Sequence, residues 1–236
     1  MKPIIGVLSK NISIDEFYGW TWQRISNHVR YAINKHGGIV LGILPQTLRQ
    51  HFNQEDEPED ISLSDEEISD LVSLLKMCDG IILQGGISSH NYEEFVAKYC
   101  YENDVPLIGV CAGYNNIIRG LGGLAEKIKN VEVHDRPDLK YAHKCQVVDK
   151  NSLFYKLVGK DLLDVNSVHT YVGTKIPKEL SVVAVSDDGQ VEVVEAKNKK
   201  FYIGFKYHPE LLVDDDKVQD RIFEEFLKTC KKGNSQ

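Results

Sequence analysis

The stretch Pro106-Leu107-Ile108-Gly109-Val110-Cys111-Ala112-Gly113-Tyr114 runs from an apolar segment into a cysteine that has glycine two positions away on either side. An apolar run this short reads as a buried strand. Small residues at −2 and +2 permit the strained strand-to-helix turn that lifts a side chain over the carboxyl edge of a sheet. A helix starting after Cys111 would aim its positive end and first free N–H groups at the sulfur, lowering the thiol pKa and offering donors to an oxyanion. Cys111 is therefore the candidate nucleophile. A small buried residue at a strand–helix turn is the other reading of the same segment.

Working outward, residues 3–8 read as a buried strand. Residues 19–37 read as a helix burying Trp22, Ile25, Val29, Ala32 and Ile33, stopped by Gly37-Gly38, and Ile39 to Leu44 as a second strand. Strand, helix, strand is the unit that builds a parallel sheet with right-handed crossovers. Residues 51–67 read as a solvated, acidic connection, with Ser64 and Glu67 spaced as a capping box for the next helix. A strand over 79–84 enters Gly85-Gly86, a helix covers 89–103, and the Cys111 strand follows. This alternation predicts an α/β fold, a mostly parallel open sheet with helices on both faces. Beyond Gly123, short pieces at 143–148, 180–185, 190–196 and 201–207 extend or flank the sheet, partly antiparallel. A helix over 215–230 closes the chain behind Asp214-Asp215-Asp216. One domain over residues 1–236 is expected.

The composition narrows the function. The chain has 236 residues, 42% hydrophobic, and a formal net charge of −7, so a phosphate backbone is repelled on average and nucleic acid is not an expected partner. No run approaches the roughly 18 apolar residues of a membrane span, and no cleavable signal is read at Met1-Lys2-Pro3, so a cytoplasmic protein is expected. Five cysteines without a CxxC pair suit neither a disulfide framework nor a zinc knuckle.

The second piece of chemistry is Tyr207-His208-Pro209-Glu210, at the end of an apolar run beginning at Phe201. An imidazole at a strand end, with a carboxylate two residues on to fix its tautomer, supplies the proton transfer that a cysteine nucleophile requires, and Pro209 stiffens the pair. His134, Asp135 and His143 match no close-set ligand pair and no helical metal motif, so neither a metal nor another cofactor is expected. Trp20 and Trp22 read as core or lid contacts, and Tyr18 as a residue at a pocket mouth.

Taken together with Pro3-Ile4-Ile5-Gly6-Val7, Asp79-Gly80-Ile81-Ile82-Leu83-Gln84-Gly85-Gly86 and Val165-Asn166-Ser167-Val168-His169, these two motifs resemble class I glutamine amidotransferase-like proteins. Within that group they resemble the γ-glutamyl-γ-aminobutyrate hydrolase branch, peptidase C26. The resemblance implies a three-layer, flavodoxin-like fold and hydrolysis of a γ-glutamyl amide by Cys111, His208 and Glu210. It implies an oxyanion hole from the N–H of Gly85 or Gly86 and of Ala112, and a glutamyl pocket lined by Asn166, Ser167, Val168 and His169, with Asn115 reaching in from the nucleophile helix. It further implies that residues 134–146 pack over the edge of the site. The family usually has Arg and Gln where this chain has Ala112 and Asn115, a second histidine at Thr170, and a longer, proline-rich loop at 87–91.

The partner implied is a small γ-glutamyl compound, and a homodimer is compatible with it. A glutaminase subunit feeding ammonia to a separate synthase is the alternative, and a catalytically inactive binding relative is the third reading.

Overall fold

The computed structural model describes residues 1–13, 21–46, 62–86 and 91–231. Expectations at Tyr18, Trp20, the acidic run 55–60 and the 87–90 loop lie outside them. The strands are β1 (Ile4–Leu8), β2 (Lys10–Ser13), β3 (Thr21–Arg24), β4 (Ile39–Ile43), β5 (Gly80–Leu83), β6 (Leu107–Val110), β7 (Leu124–Lys127), β8 (His143–Val147), β9 (Leu162–Val165), β10 (Tyr171–Lys175), β11 (Ser181–Ser186), β12 (Val191–Glu195) and β13 (Tyr202–Phe205). The helices are α1 (Asn27–Lys35), α2 (Asp65–Leu75), α3 (Asn91–Glu102), α4 (Ala112–Gly120), α5 (Val131–His134), α6 (Leu153–Val158) and α7 (Lys217–Cys230).

Among the described residues one nine-stranded sheet runs in the order β4-β1-β5-β6-β13-β12-β11-β8-β9. Its first five strands are parallel, and the pairs from β13 through β9 are antiparallel. The fold is thus the expected α/β architecture. The one placement that sequence order could not supply is β13, the last strand in the chain, which lies directly beside β6 with Phe205 opposite Val110.

Side chains alternate across the sheet with a period of two, and both faces are covered. Ile5, Val7, Ile82, Ile108 and Val110 join a core with Val29 and Ile33 of α1, Phe154 of α6, and Phe223 and Phe226 of α7. Leu8, Ile81, Leu83 and Leu107 join another with Leu71 of α2, Val96 of α3 and Ile117 of α4. Ser64 caps α2 with the reciprocal Glu67 bond, as its spacing predicts, and Asp216 caps α7. No helix among the described residues is long and apolar enough to cross a membrane.

One expectation fails locally. The helix over 19–37 begins only at Asn27, capped by Ser26, because β2 and β3 pair as an antiparallel hairpin through the preceding residues. Trp22 accordingly sits on a strand and is 51% exposed, not in the core. The Gln84 side chain locks this hairpin to the main sheet, accepting from Ser26 N at 2.7 Å and donating to Leu8 O at 2.6 Å and Arg24 O at 3.0 Å.

The nucleophile turn is the tightest backbone contact in this layer. A Cβ on Gly113 would stand 2.0 Å from the Leu83 carbonyl oxygen, and one on Gly109 2.7 Å from the Gly113 carbonyl oxygen. Gly37, at φ +80°, has no atom within 4 Å of a built Cβ, so alanine there meets only backbone strain. Gly113→Ala is expected to cost at least about 2 kcal/mol by overpacking, against about 1 kcal/mol for Gly37→Ala. Urea denaturation of the two variants checks the order, and equal losses would contradict the packing argument.

Candidate functional site

Cys111 occupies the turn between β6 and α4 with φ +51° and ψ −101°, a left-handed conformation that a non-glycine residue adopts only at a cost. The turn therefore has the strain that the flanking glycines implied. Its carbonyl accepts from Asn115 N at 3.2 Å, so α4 begins directly behind the sulfur.

The strand ends bring the other residues to it. β5 delivers Gly85, where a Cβ would lie 2.7 Å from His208 Cε1 and 3.4 Å from Cys111 Cβ. The backbone at Gly85 thus forms the floor on which the sulfur and the imidazole meet. Gly86 packs against the Lys10 side chain. Beyond β13, His208 starts the 3-10 turn Pro209–Leu211, and its Nδ1 lies 2.8 Å from Oε1 of the buried Glu210. A carboxylate at Nδ1 leaves Nε2 as the nitrogen available to Cys111.

The electrostatics separate this cysteine from the others. Burial alone would push the Cys111 thiol up, but the positive charges of Lys206 and His208 outweigh it and bring the pKa down to about 7. Burial would likewise lower the His208 imidazole, and Glu210 and the Cys111 thiolate raise it instead, to about 10. The two groups favour a thiolate–imidazolium pair. By contrast, burial pushes the Cys78 thiol up to about 11 and raises those of Cys100, Cys145 and Cys230 further.

The expected pocket residues make contacts within the protein. Asn166 clamps the backbone of His208, accepting from its N–H and donating to its carbonyl, each at 2.8 Å. Ser167 is buried and donates to the His134 carbonyl at 2.7 Å, and the His169 side chain turns away toward Glu192. Asn115 is buried beneath the site and accepts from Lys206 Nζ at 3.1 Å. In the segment 166–169, the Val168 carbonyl accepts from Cys111 Sγ at 3.7 Å. The Asn166 amide and the Ser167 hydroxyl thus hydrogen-bond within the protein, and Asn115 does so with Lys206. Residues 134–146 do pack on this segment, through the Asp135–Val168 bridge and the bond from Arg136 N to Ser167 O at 2.8 Å.

Two contributors escape a reading of the motifs. Lys206, 1% exposed, places its ammonium 3.4 Å from the Cys111 carbonyl. A lysine interrupting the buried run Phe201 to Tyr207 is the only sign of it in the sequence. Lys10 and Glu93, also buried, form an ion pair at 2.6 Å beside Gly86, with Asn116 of α4 donating to the same carboxylate at 3.0 Å. Spacing along the chain also does not reveal that the fold gathers His134 and His143 with His169 and Glu192 from four separate segments.

Comparison with known proteins bears on the fold and the family. The chain is 28% identical to the γ-glutamyl-γ-aminobutyrate hydrolase PuuD of Escherichia coli over 98% of this chain and 94% of that protein. It is 25% identical to a putative glutamine amidotransferase-like protein of Rickettsia prowazekii over 98% of both. It is 29% identical to the glutamine-hydrolysing GMP synthase subunit of Methanothermobacter thermautotrophicus over 65% of this chain and 75% of that one. Among solved structures, the glutaminase domain of Trypanosoma brucei CTP synthase with bound acivicin superposes with a TM-score of 0.64 at 16% identity, covering 98% of this chain and 95% of that domain. The fold is that of the class I glutamine amidotransferase domains. The peptidase C26 family model matches residues 87–210, a span that includes Cys111, His208 and Glu210, and the chain belongs to that family.

Proposed function

We propose that this protein is a cysteine-dependent hydrolase of the γ-glutamyl amide bond in a small γ-glutamyl compound, with Cys111, His208 and Glu210 as its catalytic group. The observation that carries this reading is the lowered thiol of Cys111, held in a strained turn against the His208–Glu210 pair and Lys206. Family membership and the relatives' activities support a hydrolase of C–N bonds.

In this reading the Cys111 thiolate adds to the γ-carbonyl carbon. The developing oxyanion is held by the N–H of Ala112, at the start of α4, and by the N–H of Gly85 or Gly86. His208 gives its proton to the departing amine as the C–N bond breaks, leaving a glutamyl thioester on Cys111. Water, deprotonated by His208, then adds to the thioester carbon, and the thiolate leaves as glutamate is released. Glu210 holds the imidazole in the orientation with Nε2 toward sulfur, and Asn166 fixes the same residue through its backbone. Lys206 acts through the charge on sulfur.

The GMP synthase relative favours a second reading, in which the chain is a glutaminase component that passes ammonia to a separate synthase. Release of glutamate from a panel of γ-glutamyl amides, glutamine included, separates the two. The proposal expects one γ-glutamyl amine to be turned over by the protein alone, and Cys111→Ala to lose at least about 10³-fold in kcat. Slow cleavage of glutamine only, accelerated by a synthase, supports the second reading. Turnover unchanged in Cys111→Ala overturns both, and cleavage of nothing favours an inactive relative.

The pH dependence follows from the ion pair. Below about pH 7 the thiol is protonated, and above about pH 10 His208 loses the proton that the leaving amine requires. kcat/KM is expected to rise with a midpoint near 7, hold a plateau and fall near 10. Alkylation of Cys111 by iodoacetamide should share the lower midpoint.

Lys206→Met removes a positive charge beside the sulfur, so its alkylation midpoint is expected to move upward, with about a tenfold slower reaction on the acid side for each pH unit of displacement. An unmoved midpoint would show that Lys206 does not act on the thiol. Glu210→Gln is expected to lower kcat by on the order of 10²–10⁴-fold while the protein still reacts with iodoacetamide.

A further inference from the structure

Three histidines and a glutamate that the hydrolase chemistry does not use meet inside the protein. His134 ends α5, His143 opens β8, His169 lies between β9 and β10, and Glu192 is on β12. None of these side chains is more than 4% exposed. His134 Nδ1 stands 3.7 Å from Glu192 Oε1, and His143 Nε2 and His169 Nε2 each stand 3.6 Å from that oxygen. The four candidate ligand atoms all lie within 4.8 Å of one another.

These inward atoms lack hydrogen bonds. His134 Nδ1, His143 Nε2, His169 Nε2 and both Glu192 carboxylate oxygens are buried with no hydrogen-bond partner among the described residues. Leaving five such atoms unsatisfied is costly. Protonated histidines closing on the carboxylate would do so at about 2.7–2.9 Å, and the observed separations are too long for hydrogen bonds. They suit a different arrangement: four ligands about 2.0–2.1 Å from a central ion, in a tetrahedron, are about 3.3 Å apart, so the three nitrogens reach that spacing from Glu192 Oε1 by closing a few tenths of an ångström, and the widest pair in the cluster closes by up to about 1.5 Å.

The outer nitrogens of His134 and His143 are already committed, whereas His169 Nδ1 has no hydrogen-bond partner among the described residues. His134 Nε2 faces Asp188, with its carboxylate oxygens at 3.1 and 3.2 Å, and Ser186 holds that carboxylate at 2.6 Å. His143 Nδ1 lies 3.0 Å from the Lys144 carbonyl. Carboxylates and carbonyls only accept, so these nitrogens carry the protons and the lone pairs of His134 Nδ1 and His143 Nε2 point inward. A hydrogen bond on the far nitrogen is how proteins orient a ligating histidine.

We propose that His134, His143, His169 and Glu192 form a closed, tetrahedral site for a divalent transition metal, zinc foremost. Three imidazoles and one carboxylate suit that ion, and a full set of protein ligands marks a structural site, with no position open for substrate. The ion would pin α5, β8 and β12 to the connection in which Val168, next to His169, presents its carbonyl to Cys111. It would thereby fix one wall of the candidate active site without entering the reaction.

The test uses the full chain free of any histidine tag. Purified protein is expected to contain about one equivalent of zinc, and protein stripped with a chelator is expected to take up about one equivalent of Zn²⁺ or Co²⁺ on dialysis. The cobalt form should show the intense visible bands of a tetrahedral centre. Cys111→Ala should bind the metal in full, whereas Glu192→Gln and His143→Ala should lose at least about tenfold in affinity. The proposal is overturned if stripped wild-type protein, still folded by circular dichroism, takes up neither ion. It is equally overturned if uptake vanishes in Cys111→Ala or persists unchanged in Glu192→Gln. Metal content and the cobalt spectrum are read without turnover, so failure of the hydrolase reading leaves this result standing.

Discussion

The backbone contact between Gly113 and the Leu83 carbonyl governs the geometry of the candidate site. Because no side chain intervenes, α4 can begin immediately at the end of β6 and lie against the end of β5, which forces Cys111 into its left-handed conformation. The same closeness places the Gly85 backbone against both the sulfur and the imidazole. Parallel pairing of β6 with β5 on one side and β13 on the other then brings three strand ends to one edge of the sheet, so that residues far apart in the chain converge at carboxyl termini.

Burial opposes a charged thiol, and the balance of charges around Cys111 reverses that preference. At the other described cysteines burial is the largest influence and nearby negative groups add to it, so each of their thiols is pushed upward. At Cys111 an ammonium from β13's end and an imidazole oriented by Glu210 overcome desolvation. The interior carries further paired charges close by, with Lys10 and Glu93 under Gly86. Such pairs contribute little net stability after desolvation, so their placement fits a positioning role near the site better than a role in holding the fold.

The segment from Asn166 to His169 links this chemistry to the antiparallel half of the sheet. Asn166 holds His208, Val168 faces the sulfur, Ser167 bonds the carbonyl of His134, and His169 enters the cluster around Glu192. A family motif in this position could be read as a substrate lining. Its hydrogen bonds also make it a brace between two parts of the sheet.

The sequence by itself determined the features that depend on neighbouring residues. The strand–turn–helix at Cys111 follows from Gly109 and Gly113, the His208–Glu210 pair from a two-residue spacing, and the cap of α2 from Ser64 and Glu67. The alternation of apolar runs with helical periods determined the parallel half of the sheet. Only the tertiary structure decided what depends on distant segments meeting. The β2–β3 hairpin displaced the start of α1, because cross-strand pairing outweighs the apolar spacing that suggested helix. Lys206 became a partner of Cys111 because β13 inserts next to β6, and the histidines at 134, 143 and 169 met Glu192 because four segments fold over one another. Spacing along the chain carries no information about such contacts, whose energy is realised only when burial removes the competing water.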